Sequence, residues 1–170
     1  MEICKRLFFL KACLKHAFYL SKYILDEKKI EVYLKVEEGI EINGFYNELS
    51  QVFLNIISNS KDALSSKDHK RFIKVIAVES ENKIKVDIID NGGGINEDIL
   101  PHIFDPYYTT KYKNTGTGIG LYMSKQIIEK HMQGSVSCKN IFYNIGNQKS
   151  ENCAMFSITI PTNKGDKNVS

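Results

Sequence analysis

The sequence predicts an α/β domain built around one core, and three observations carry that reading. Strand-like stretches recur along the chain, Glu31 to Val36, Phe72 to Val78, Ile84 to Ile89, Ser135 to Lys139 and Ala154 to Ile160, the second and third of them rich in β-branched residues. Interleaved with them are three segments whose apolar residues fall at helical spacing: residues 1–26, Glu48 to Leu64 and Leu121 to His131. At 170 residues and 42% apolar, the chain is long enough for one well-packed domain and short for two.

Charge and cysteine usage narrow the function classes. The net charge is +3 with acids and bases interspersed, which gives no electrostatic case for nucleic acid or an anionic membrane surface. Cys4, Cys13, Cys138 and Cys153 show no C-x-x-C spacing, which argues against a zinc site and fits reduced thiols in a reducing compartment. Lysines interrupt the N-terminal segment, and no window approaches the roughly 20 apolar residues a membrane span needs. The expectation is a cytoplasmic domain, with a membrane anchor left open for a longer protein around it.

Residues 1–26 carry Ile3, Leu7, Leu10, Leu14, Ala17 and Ile24 with lysines between them, the pattern of an amphipathic helix. Val32, Leu34 and Val36 alternate with Tyr33 and Lys35 in a half-buried strand, and Ile40 and Ile42 before Asn43-Gly44 mark a second short strand ending in a turn. In the helix from Glu48 to Leu64, residues Glu48, Gln51, Asn55, Ser58, Asn59 and Asp62 form one narrow polar stripe on a surface otherwise apolar. A helix greasy most of the way round is buried, so its polar stripe needs partners other than bulk water; neighbouring backbone or a bound polar ligand would serve. Glu81-Asn82 joins Phe72–Val78 to Ile84–Ile89 as a hairpin. Asn91 to Gly120 is crowded with Gly, Asn, Thr and Tyr, too irregular for a sheet and long enough to suggest a functional loop. The two terminal strands enclose an Asn-rich connector, Asn140 to Asn152, with no evident packing role, and residues 162–170 read as a disordered polar tail.

Two glycine-rich segments carry candidate chemistry. Asp90-Asn91-Gly92-Gly93-Gly94-Ile95 stands where a strand gives way to a loop: a carboxylate there can accept from an exocyclic amine, and glycines let a flat ring lie against backbone. Taken alone, the hexapeptide reads more readily as a glycine turn with a capping aspartate. Gly116-Thr117-Gly118-Ile119-Gly120-Leu121 opens a helix, where unobstructed N–H groups make an anion site; a flexible loop before a helix start is the plain alternative. The segment is neither a Walker A sequence nor the dinucleotide fingerprint.

The segments together resemble the ATP-binding catalytic domain of sensor histidine kinases, within the superfamily that includes type II topoisomerases, mismatch-repair ATPases and the large heat-shock chaperone ATPases. Glu48 to Ala63 is similar to that family's N box, Asp90 to Ile95 to its first glycine box, Ile103 to Lys111 (IFDPYYTTK) to its phenylalanine box, and Gly116 to Leu121 to its second glycine box. Four boxes in order over roughly residues 30–161 are far more specific than any one. The resemblance implies the Bergerat fold: a two-layer α/β sandwich whose mixed, mostly antiparallel sheet carries three helices on one face. It also implies ATP and Mg²⁺ as ligands. Asn59 would ligate the metal through its amide oxygen, with Asn55 and Asp62 in the same pocket. Asp90 would take the adenine amine, with Gly92, Gly94 and Ile95 around the base. Phe104, Thr110 and Lys111 of the phenylalanine box, and Gly116, Thr117, Gly118, Ile119, Gly120 and Leu121 of the second glycine box, would form the lid and phosphate site, Lys111 reaching the terminal phosphate.

In the hydrolytic relatives, the position of Asn55 resembles one held by a glutamate that activates water. An amide has no basic lone pair at neutral pH, so Asn55 would hold ATP without readily hydrolysing it, as suits transfer to a protein acceptor. That gives Asn55 and Lys111 the catalytic roles. None of His16, His69, His102 and His131 stands in the acceptor pattern of the family, so the acceptor is expected on a separate dimerisation domain. The expected organisation is a helical segment at 1–28 linking to that domain, the ATP-binding domain at 29–161 and the tail at 162–170. The implied function is the catalytic domain of a two-component sensor histidine kinase, a homodimer at full length and a monomer as this piece, passing its phosphoryl group on to a response regulator. A nucleotide-gated interaction module and a hydrolytic ATPase of the same superfamily are the alternatives.

Overall fold

A computed structural model describes residues 4–110, 116–146 and 149–162. In chain order the elements are β1 (Arg6–Phe9), α1 (Leu10–Glu27), β2 (Ile30–Val36), β3 (Glu41–Gly44), α2 (Tyr46–Leu64), β4 (Arg71–Ser80), β5 (Lys83–Asp90), a 3-10 turn at Leu100–His102, α3 (Gly120–Gln126), β6 (Ser135–Tyr143) and β7 (Glu151–Pro161). A wide π turn, Ile127–His131, prolongs α3. Strands β2-β4-β5-β7-β6 form one sheet in that order; β2 runs parallel to β4 and every other neighbour is antiparallel. This is the two-layer sandwich that the sequence predicts.

Strand alternation fixes the two faces of the sheet. Ile73, Val75 and Ala77 of β4, Ile84, Val86 and Ile88 of β5, and Phe156, Ile158 and Ile160 of β7 pack with α1 and α2 in one core. Residues of opposite parity, Phe72, Ile89, Cys153 and Met155, form a smaller cluster on the other face, capped by Tyr33, Ile141 and Tyr143. Asp90 has the parity of Ile84, Val86 and Ile88, so the last residue of β5 comes out on the helical side.

The helices and strands that the sequence predicts are present, with two corrections; the tail expected at 162–170 lies, from residue 163 on, outside the described residues. The N-terminal helix starts at Leu10: Arg6–Phe9 is an edge strand, with Phe8 opposite Ile42 on β3. A run such as Leu7-Phe8-Phe9-Leu10 suits either state, and a partner more than thirty residues away decided for strand. The Asn-rich connector is shorter than read: β6 continues to Tyr143 and β7 begins at Glu151, so Asn140 and Asn152 are strand residues with partners. The hairpin turn holds Glu81 and Asn82 at φ +49° and +60°, the left-handed pair of a two-residue turn. Cys138 pairs with Phe156 and Cys153 with Ile141, so these thiols are not opposite each other. All four cysteines are free, and burial pushes Cys13, Cys138 and Cys153 up to about 12, which keeps them as inert thiols.

Helix α2 joins the two layers. Leu49, Val52, Phe53 and Ile56 are 0% exposed. Phe53→Ala should therefore cost about 3–5 kcal/mol in urea unfolding, whereas Tyr23→Ala, at a position 82% exposed on α1, should stay within about 0.5 kcal/mol.

Candidate functional site

The polar stripe of α2 forms one wall of a cleft of about 550 Å³, lined from that helix by Asn55, Ser58, Asn59, Ser60, Asp62 and Ala63. Asn55 is held on both sides of its amide. Its Oδ1 accepts from Gln51 Nε2 at 3.0 Å, and its Nδ2 donates to the Gly120 carbonyl and to Ser124 Oγ, each at 3.1 Å. One turn on, Asn59 Nδ2 donates to the Asn55 carbonyl at 2.9 Å, so the hard ligand that Asn59 can offer is its amide oxygen. Asp62 pairs with Lys61 at 2.7 Å. Glu48 lies outside the cleft and pairs with His131 at 2.8 Å.

Among the described residues the most deeply buried ionisable group at the cleft is Asp90. It ends β5, the middle strand of the sheet, opposite Ile73 and Ala154, and is 2% exposed. Oδ2 accepts from the Ser60 hydroxyl at 2.7 Å and Oδ1 from the Gly92 N–H at 3.0 Å. Burial raises its pKa to about 6, against the downward pull of those two hydrogen bonds. Asn91 turns the other way: its Oδ1 accepts from the Phe72 N–H at 2.8 Å, while Nδ2 donates to the Lys70 carbonyl and to Glu151 at 2.7 and 2.5 Å. The start of the glycine loop is thereby fastened to β4 and β7.

The far wall is the irregular stretch. Ile99, Ile103 and Phe156 give the cleft an apolar floor, and Tyr108, Thr109 and Thr110 with Gly116, Thr117 and Gly118 form its rim. Gly118 has φ +68°, and a Cβ there would stand 2.5 Å from the Tyr107 carbonyl carbon, so no side chain fits where the two loop segments cross. Gly120 and Leu121 begin α3 beside Asn55.

Of the residues proposed from the sequence, Asn55, Asn59, Asp62, Asp90, Gly94, Ile95, Thr110, Gly116, Thr117, Gly118, Gly120 and Leu121 meet at this one cleft. Gly92, Phe104 and Ile119 do not line it: Gly92 supports Asp90 from behind, and Phe104 packs edge-on to Phe156 at 6.4 Å between ring centres. Lys111 lies outside the described residues. Sequence reasoning missed Ser60 and Ser124, both buried. The signal for Ser60 was present, since a hydroxyl on the apolar side of a buried helix must find a partner; Ser124 stands four residues after Gly120, where its hydroxyl bonds the Gly120 carbonyl at 2.8 Å.

A cleft of this size suits a small-molecule ligand. A buried carboxylate at one end and a glycine crossing at the other suit a ligand with an amine-bearing ring and an anionic tail.

The chain is similar in sequence to several known kinases. The chain is 41% identical over 95 residues to sporulation kinase A of Bacillus subtilis, a match covering 56% of this chain and 15% of that protein. It is 32% identical over 123 residues to the sensor histidine kinase ZraS of Escherichia coli, covering 72% and 25%, and so spans only a fraction of the length of these relatives. The fold superposes on the catalytic domain of the histidine kinase ThkA with a TM-score of 0.76 at 24% identity, covering 95% of this chain and 97% of that one. ThkA has also been solved in complex with the response regulator TrrA, and there the TM-score is 0.71 at 19% identity, over 93% of this chain and 42% of that one. Residues 44–164, well over half of the chain, match the family described as histidine kinase-, DNA gyrase B-, and HSP90-like ATPase, and the chain belongs to that family.

Proposed function

We propose that this chain is the Mg-ATP-binding catalytic domain of a two-component sensor histidine kinase, and that it donates the γ-phosphoryl group to a histidine on a separate dimerisation domain. One observation carries the reading: Asn59, Asp90 and Gly118, from three distant parts of the sequence, border a single cleft.

The donor set fits the ligand. The Asp90 carboxylate accepts from the adenine amine, and Ser60 and Gly92 hold it in place for that contact. Ile99 and Ile103 give the base an apolar surface. Bound Mg²⁺ would neutralise phosphate charge, and the Asn59 amide oxygen, fixed by the bond its nitrogen makes to Asn55, is an oxygen ligand of the kind it takes. Asn55 orients α3 through the Gly120 carbonyl and has no proton-accepting group for water. The histidines of the chain are engaged elsewhere, His16 stacked on Tyr46, His69 beside Asn91, His102 on Asp105 and His131 on Glu48. That supports an acceptor on another domain and, after it, a response regulator as the next partner.

Calorimetric titration with Mg²⁺ and a non-hydrolysable ATP analogue should show binding that Asn59→Ala and Asp90→Ala each weaken at least about tenfold; undiminished binding in both variants would sink the proposal. With γ-labelled ATP, the chain alone should stay unlabelled, and label should appear on the acceptor-histidine domain when that is added.

The buried carboxyl of Asp90 sets a pH dependence. Its folded pKa of about 6 lies above that of the unfolded chain, so the folded domain keeps a proton that the unfolded chain releases. Stability therefore falls as pH rises from about 4 to about 6, and the cost is fully present above that window. Asp90→Asn should remove a cost on the order of 2 kcal/mol at pH 8, with the difference from wild type vanishing near pH 4, while nucleotide binding is lost. Thermal melts across that range check it, and a variant less stable than wild type at pH 8 contradicts it.

A further inference from the structure

Two asparagines outside the cleft stand beside the glycine loop, Asn140 on β6 and Asn152 on β7. Alternation puts Asn140 in line with Val136 and Cys138, and Asn152 in line with Ala154, Phe156 and Ile158, on the helical side of the sheet. Asn152 closes an otherwise apolar row on β7, and Asn140 interrupts one on β6 between Cys138 and Phe142.

Both amides bond to loop backbone. Asn140 Oδ1 accepts from the Ile95 N–H at 2.7 Å, and its Nδ2 donates to the Ile95 carbonyl at 2.6 Å and to Glu97 at 2.8 Å. Asn152 Nδ2 donates to the Gly93 carbonyl at 2.8 Å. Gly94 is enclosed between them: its φ is +76°, and a Cβ there would stand 2.8 Å from both Asn140 Oδ1 and Asn152 Nδ2. Three backbone groups that a surface loop would leave to water thus have fixed partners on the sheet, which restricts the loop before any ligand arrives. Gly94 and Ile95 line the cleft at the Asp90 end; Asn140 and Asn152 do not.

We propose that Asn140 and Asn152 are positioning residues that hold residues 93–95 in the shape that receives the base, so that an adenine nucleotide binds to a loop already ordered. The inference rests on the nucleotide reading above and adds to it two residues that touch no ligand.

The full chain is titrated with Mg²⁺ and a non-hydrolysable ATP analogue, and separately with ADP, as wild type, Asn140→Ala, Asn152→Ala and Asn140→Asp. Each alanine variant should bind about tenfold more weakly. The factor should be the same for both nucleotides, because the loss is at the base end. Asn140→Asp, which keeps the shape but loses both donors and faces the Ile95 carbonyl and Glu97 with a charge, should bind no better than Asn140→Ala. In the free wild-type chain, the Ile95 amide should exchange slowly with solvent, and Asn140→Ala should speed it while the β6–β7 ladder stays protected. Wild-type affinity in both alanine variants, or an unprotected Ile95 amide in the free wild-type chain, overturns the inference. A wild-type chain that binds neither nucleotide overturns the nucleotide reading and this inference with it.

Discussion

A carboxylate buried at the end of the middle strand is the constraint on which the rest of the structure turns. Taking an ionised group out of water is costly unless hydrogen bonds replace the lost hydration. Asp90 has two such bonds, from a helix hydroxyl and a loop N–H, and still has its pKa raised. The residual cost is what a ligand can relieve: an amine that donates to this carboxylate gains an acceptor stripped of water. For that the strand must end under the helix, so β5 has to be central, and α2 must cross the sheet with Ser60 facing down and Asn59 facing into the cleft. One turn of one helix thus serves the core and the site together, which is why its apolar and polar faces are so unequal.

The two ends of the cleft are built differently. At the Asp90 end, the loop is fastened to β4, β6 and β7 through Asn91, Asn140 and Asn152, and its backbone has little freedom. At the other end, two loop segments cross at Gly118, and the start of α3 is tied to α2 by the Asn55 amide and by the packing of Leu121 against the core. A seat for the base fastened to the sheet and a rim linked to α2 through Asn55 would suit the proposed ligand, whose two ends have different roles.

Most of this was legible in the sequence where period and composition agree. The stripe on α2, the hairpin at Glu81-Asn82 and the position of Asp90 at a strand end follow from alternation and spacing alone. The misread elements share one cause, long-range pairing. Arg6–Phe9 is a strand because β3 supplies a partner, which no local window contains. Asn140 and Asn152 read as loop because asparagine is a poor strand former. Yet counting by twos from Val136 or back from Ile158 puts each on the core side of its strand, and a polar side chain there calls for a buried partner. Ser60 carried the same warning.

The amide at position 55 bears on why this site would keep ATP intact, and the reason goes beyond a missing base. Its nitrogen donates to the Gly120 carbonyl and the Ser124 hydroxyl while its oxygen accepts from Gln51, so donor and acceptor are both required. A glutamate at this place is one methylene longer and, ionised, only accepts. It would face the Gly120 carbonyl with a charge and leave the first turn of α3 without its tether. In this chain a hydrolytic base and an attached rim therefore exclude each other at position 55: acquiring the first would require Gly120 and Ser124 to find new partners. If the chain acts as the proposed phosphoryl donor, the inertness toward water that this role needs would come from the contact that holds the rim in place.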